Sequence, residues 1–327
     1  MTWVSLRHVT WSLVPDLLGD HQLAFSRGTG STRLDVALAH LVRVNALATL
    51  SPARFDNLFA ETRIVLSYLR TPASGQVSLR EDAVRGSSHH IRQFVVECLG
   101  LGLHATAVGE PRVLPIGPDR AYRNRGVRPD LLFGWPGSRL AGEAKGRARS
   151  APRTVLAEPR LRLETLLEWS ARHDDHPFVM TWAYANDLGI TVDLYRPADG
   201  SAWFDANTGK VRSDVYRGPA VDDSAVGPLA EEAAQRVLEV ERYLYETAPP
   251  TGHTLLGHPL RGADAALDLF GLDSRRFALG VLGAELDPDE RAALERSPEV
   301  SVSGRIALFL ATDGGDPWAV PVDSGVA

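Results

Sequence analysis

Residues 127–147 read Val127-Arg128-Pro129-Asp130-Leu131-Leu132-Phe133-Gly134-Trp135-Pro136-Gly137-Ser138-Arg139-Leu140-Ala141-Gly142-Glu143-Ala144-Lys145-Gly146-Arg147. Two apolar runs, Val127–Phe133 and Arg139–Lys145, flank Trp135-Pro136-Gly137-Ser138, whose residue types favour a turn. The spacing predicts two strands folded back on each other. Each run carries charge where a strand core wants none: Asp130 in the first, Glu143 and Lys145 in the second. Strand side chains alternate, so Glu143 and Lys145 share one face and Ala144 takes the other. Hairpin pairing then brings Asp130 near Glu143, and two carboxylates and one amine gather on a single sheet face. The alternative is a plain surface salt bridge between Glu143 and Lys145.

The chemistry of such a cluster is direct. Two close carboxylates suit a hard divalent cation such as Mg²⁺ or Mn²⁺, which takes oxygen ligands and keeps several waters. The Ala144 carbonyl offers a further oxygen. A metal held there polarises a phosphodiester oxygen and acidifies a bound water. Lys145 can orient that water and offset charge building on the phosphate. Lysine is scarce in this chain: Lys145 and Lys210 are the only two among 35 basic residues. Lys210 falls in the turn-like Asn207-Thr208-Gly209-Lys210, whereas Lys145 stands where a compact, deprotonatable charge does what a guanidinium cannot.

Working outward, charge is unevenly spread. Net charge is −6 overall, yet Arg112–Arg162 holds twelve basic residues against four acidic ones. From Pro219 onward there are nineteen acidic and eight basic residues. The pattern predicts one basic working face on an acidic body, with Arg125, Arg128, Arg147, Arg149, Arg160 and Arg162 placed to hold a phosphate backbone.

The 327 residues suggest two domains, or one with appendages. Up to residue 76 the pattern predicts mostly helix, over Asp35–Leu50 and again after Pro52, ending at the linker-like Thr71–Gly75. The middle region, 77–218, alternates. It predicts a helix from Ser87 or Ser88 to Gly100, strands at His104–Val108 and Arg112–Ile116, then the two strands above. A helix from Pro159 to Arg172, strands at Phe178–Tyr184 and Ile190–Tyr195, and a hairpin over Trp203–Tyr216 follow. The acidic region 219–327 predicts a helix over Leu229–Tyr245, helical or mixed pieces at Arg275–Leu282 and Asp289–Glu295, and strands at Val300–Leu310 and Trp318–Val322. The expected class is α/β: a mixed sheet flanked by helices, with a helical N-terminal region and an acidic α+β C-terminal region.

Pro129-Asp130 followed thirteen positions later by Glu143-Ala144-Lys145, between a leading helix and a later helix with strands, resembles the PD-(D/E)xK nuclease superfamily. The resemblance covers residues 87–196 and implies the restriction-endonuclease-like fold. It implies a Mg²⁺-dependent (or Mn²⁺-dependent) nuclease acting on nucleic acid, DNA in the first instance, in defence against foreign DNA or in repair. It places Asp130, Glu143 and the Ala144 carbonyl on the metal and Lys145 beside the water. It assigns a further acidic residue to the leading helix, for which Glu97 is the match, and a basic residue to the helix after the lysine strand, Arg160 or Arg162.

Other patterns are read structurally. His89-His90 fit a helix start, and His173-Asp174-Asp175-His176 a polar loop. Gly28-Thr29-Gly30-Ser31-Thr32 lacks the spacing and lysine of a phosphate loop, and no GxSxG elbow accompanies the serines. Trp182 and Tyr184 read as core. With 44% hydrophobic and 23% charged residues the composition is that of a folded chain, and no apolar run reaches membrane-spanning length. The lone Cys98 excludes an intrachain disulfide and a cysteine zinc site, and fits the cytoplasm. Two other functions stay open. One is a catalytically silent nuclease-fold platform that docks a protein partner or a second copy; the other is an RNA-cleaving enzyme using the same residues.

Overall fold

In the computed structural model the described residues are 2–15, 21–48, 54–71, 74–108, 113–115, 129–133, 140–171, 178–198, 235, 237–267, 274–294, 297 and 299–319. The two strands of the opening stretch are β7 (Leu131–Phe133) and β8 (Leu140–Arg147), preceded by β6 (Val113–Pro115). They pair antiparallel, with Leu131 opposite Gly142 and Phe133 opposite Leu140. On its other edge β8 runs parallel to β9 (Phe178–Ala185), which turns through Asn186–Gly189 into antiparallel β10 (Ile190–Pro197). The parallel β8–β9 step requires a crossover, supplied by α5 (Ala157–Ala171).

The sheet continues into the start of the chain. β1 (Thr2–Pro15) lies parallel to β10, and β2 (His21–Arg27) and β3 (Thr32–Val36) pair end to end along its far edge. The result is an eight-stranded mixed sheet in the order β2-β1-β10-β9-β8-β7-β6, with β3 beside β1; the short β4 (Leu69–Arg70) and β5 (Ser78–Leu79) form a separate antiparallel pair.

Alternation sorts the two faces. Val179, Ala183, Val192 and Leu194 face a helical layer of α1 (Leu38–Ala48), α2 (Phe55–Tyr68), the short α3 (Glu81–Gly86) and α4 (His89–Val108). Phe178, Met180, Trp182, Tyr184 and Tyr195 face α5, through Leu163, Leu166 and Trp169. Beyond the helical layer lies a five-stranded antiparallel sheet. Its strands are β11 (Pro250–Leu255), β12 (His258–Ala266), β13 (Arg276–Leu282), β14 (Val300–Ser303) and β15 (Ile306–Ala311), in the order β11-β12-β13-β15-β14. Phe277, Leu279, Val281, Ile306 and Leu308 share one apolar core with α1, α2 and α4. The sheet's other face packs on α7 (Pro288–Leu294) through Leu294. Helix α6, 237–247, joins the layers, and its buried Glu241 accepts from Arg43 Nε of α1 at 2.7 Å. The chain is therefore mixed α/β, with mixed sheets flanked by helices.

Several expectations are corrected. The N-terminal region is not mostly helical: residues 2–36 supply three strands, and these belong to the same sheet as the β7–β8 pair. His104–Val108 is not a strand but the end of α4, which runs through Gly100 and Gly102. Those glycines serve close packing rather than termination. A Cβ on Gly102 would come within 2.6 Å of Leu41 Cδ2, and one on facing Gly146 of β8 would overlap the Val96 carbonyl oxygen of α4. Arg276–Leu282 is strand, with Phe277–Leu282 buried on both faces. Such a run carries no period to separate strand from helix. Trp318 sits in a 3-10 turn, Pro317–Ala319, and residues 320–322 lie outside the described residues. So do the Trp135–Ser138 turn, the Trp203–Tyr216 hairpin and Leu229.

Candidate functional site

The β7–β8 pairing sets the first half of the site. Asp130 precedes β7, and its backbone N–H donates to the Gly142 carbonyl at 2.7 Å, extending the ladder by one step. That step places its side chain over β8, where Oδ2 accepts from the Ala144 N–H at 3.0 Å. Glu143 and Lys145 project from β8 on the α5 side, and Ala144 faces α4. Lys145 Nζ lies 2.7 Å from Glu143 Oε1 and 3.7 Å from Asp130 Oδ2. One ammonium thus spans both carboxylates.

The second half comes from α5. Arg162 Nε donates to Glu143 Oε1 at 2.7 Å, and its second nitrogen closes on the same oxygen. Glu143 is completely buried, whereas Asp130, Lys145 and Arg162 are about a third exposed or less, at 33%, 29% and 26%. Two cations share Oε1, while the buried Oε2 has no hydrogen-bond partner among the described residues. Burial pushes the Glu143 carboxyl up to about 7, reinforced by nearby Asp130 and opposed by Lys145 and Arg162.

The donor set fits a small divalent cation. Asp130 and Glu143 supply two carboxylates, and Oε2 is a buried acceptor still short of a partner, which is costly unless something binds it. Mg²⁺ is held in other proteins by one or two carboxylates with waters completing the octahedron. Among the described residues no third Asp, Glu, His or Cys completes an all-protein cage.

Glu97 is not brought to this cluster. It lies on α4, against the opposite face of β8, and accepts from Gln93 Nε2 at 2.8 Å on an exposed surface. Arg125 and Arg128 lie outside the described residues. The other four arginines gather on the α5 face. Arg147 lies 5.2 Å over the Trp182 ring and Arg149 5.8 Å over Tyr184, and both reach Glu158 Oε2, at 3.5 and 3.3 Å. Arg160 donates to the Leu23 carbonyl at 2.7 Å and stacks 4.9 Å over Phe25 of β2. Trp182 and Tyr184 are core, as their sequence context suggests, yet their rings also seat two of the basic residues.

Comparison of the chain with known protein families, with characterised proteins and with solved structures finds no match. The site therefore stands on its geometry.

Sequence reasoning missed a second charged cluster on the same face. Arg7 of β1 and Arg27 of β2 converge on the completely buried Asp193 of β10. The signal was present: Arg7 sits between Leu6 and Val9 in a run whose alternation is that of a strand. It was hidden by the helical expectation for this region. His104 is also more than a core residue by default. Buried behind β8, its Nδ1 meets Thr181 Oγ1 at 2.8 Å, and burial with nearby Lys145 holds its pKa down to about 3, so it is neutral.

Proposed function

We propose that the chain is a divalent-metal-dependent phosphodiester hydrolase of the PD-(D/E)xK type, a nuclease acting on DNA. The observation that carries this reading is the single ammonium of Lys145 between Glu143 Oε1 and Asp130 Oδ2, beside a buried carboxylate oxygen with no partner among the described residues. Asp130 and Glu143 would hold Mg²⁺ or Mn²⁺, with the Ala144 carbonyl as a further oxygen. The metal, when bound, would supply Lewis-acid polarisation of the phosphate and a more acidic water. The chain's own residues do the rest. Lys145 orients the attacking water and, as a cation, offsets charge on the phosphate. Arg162 neutralises Glu143 and holds its side chain in place. Arg147, Arg149 and Arg160 present donors to flanking phosphates, and the aromatic rings beneath them limit their freedom.

Plasmid nicking tests the proposal. Wild type with Mg²⁺ or Mn²⁺ is expected to convert supercoiled plasmid to open circles, and Lys145→Ala to lose that conversion. No cutting of DNA by wild type with either ion overturns it. Cutting of RNA alone would move the substrate to the alternative nuclease. A second reading, the catalytically silent platform, is favoured by one observation: Lys145 and Arg162 already neutralise Glu143 without any metal. That reading predicts no ion-dependent activity and no Mn²⁺ binding.

A further inference from the structure

The connection from β8 to α5 spans residues 148–156. It crosses the α5 face of the sheet and is pinned along its length. Ser150 Oγ accepts from Asn186 Nδ2 at 2.7 Å, at the β9–β10 turn. The Pro152 carbonyl accepts from Arg7 at 3.1 Å and from Arg27 at 2.8 Å, on β1 and β2. Ala151 and Val155 pack on the core beneath α5. The two arginines are themselves fixed. Arg7 grips Asp193 through two nitrogens, at 2.6 and 2.9 Å, and Arg27 adds a third bond at 2.8 Å. Strand register places Asp193 level with Trp182, Trp182 level with Lys145, and Arg7 level with Asp193. Arg7, Asp193, Trp182 and Lys145 thus occupy one row across four strands.

We propose that Asp193, Arg7 and Arg27 are positioning residues: they hold the Pro152 carbonyl over the sheet and so set the start of α5, with Arg162, against Glu143. The inference rests on the nuclease reading for its catalytic consequence. A guanidinium is suited to the task because its rigid planar fork bonds both carboxylate oxygens and the carbonyl in one fixed geometry, as Arg7 does, which the point-like ammonium of a lysine does not fix. The arrangement also gives the N-terminal strands a part in the site, although they lie outside residues 87–196.

The experiment uses the full chain with Arg27→Lys and Arg7→Lys, which keep net charge, and Arg33→Lys as control, a surface residue paired to Asp35. Ser150→Ala, which loosens an exposed pin, covers the case in which a clamp variant fails to fold. Hydrogen exchange of residues 148–163 is expected to rise about tenfold in the clamp variants, less in Ser150→Ala, and not in Arg33→Lys. In plasmid cleavage well below Tm, kcat is expected to fall about tenfold, with a smaller change in KM. Unchanged exchange over 148–163 overturns the proposal. So does faster exchange with unchanged kcat, which would leave the clamp a purely structural device. If wild type does not cut at all, the nuclease reading fails, and the exchange measurement alone still decides whether the clamp holds the start of α5.

Discussion

Two completely buried carboxylates, Glu143 and Asp193, lie on the same face of the same sheet, and they are satisfied differently. Asp193 uses both oxygens: three guanidinium nitrogens from two strands reach it within 2.9 Å. Glu143 crowds Lys145 and Arg162 onto Oε1 and leaves Oε2 with no hydrogen-bond partner among the described residues. A buried acid with both oxygens bonded is part of the architecture. One with an unfilled oxygen beside a second, partly exposed carboxylate is set up to take a ligand. The difference sets the clamp apart from the proposed metal site without any appeal to similarity.

The largest expected effect comes from breaking the saturated cluster. Asp193→Ala removes a completely buried carboxylate and leaves two partly buried guanidiniums without their counter-ion, and a loss of about 3–5 kcal/mol of folding stability is expected in urea unfolding. Glu143→Gln should leave stability nearly unchanged. It removes a carboxylate that burial already disfavours, so stability near neutral pH is expected to change by less than about 1 kcal/mol while Mn²⁺ binding is lost. Equal destabilisation by the two variants would erase the distinction.

Next in size is Lys145→Ala, expected to lower cleavage by about 10²–10³-fold in plasmid nicking, with the fold retained by circular dichroism. A packing test follows. Gly146→Ala sets a methyl against the Val96 carbonyl of α4, and a loss of about 1–3 kcal/mol in thermal unfolding is expected.

The pH dependence sharpens the comparison further. The Glu143 carboxyl moves from 4.5 to about 7 on folding. Between those values the folded state binds the extra proton, so this group's contribution to stability declines as pH rises from 4.5 to about 7. Wild type minus Glu143→Gln, followed by urea midpoint against pH, should show that decline. The smallest effect is expected at Glu97, which lies on α4 across β8 from the cluster and accepts from Gln93; Glu97→Ala should leave Mn²⁺ affinity unchanged in calorimetry.

Much of the centre could be read from the chain before its fold was known. The apolar runs around Pro129-Asp130 and Glu143-Ala144-Lys145 predict strands that pair as β7 and β8, and the turn chemistry between them predicts their direction. Glu97 was legible as a helical carboxylate but not as one on the wrong side of the sheet, because helix phase relative to a strand is set by packing, here of Gly100 against Gly146. The strand that carries Arg7 was legible, but its partners in the clamp were not. Arg7, Arg27 and Asp193 are far apart in sequence, and the parallel pairing of β1 with β10 that joins them leaves no local pattern. In the C-terminal sheet, Phe277–Leu282 is buried on both faces, so alternation fails where burial is complete.

The central claim is that Asp130 and Glu143 form a divalent-metal centre. Anomalous diffraction from a crystal of the full chain soaked in Mn²⁺ tests it most directly. One peak between the Asp130 and Glu143 carboxylates, absent from Glu143→Gln crystals, is the expected result. No peak there, with Lys145 and Arg162 still closed on Glu143, would contradict the account.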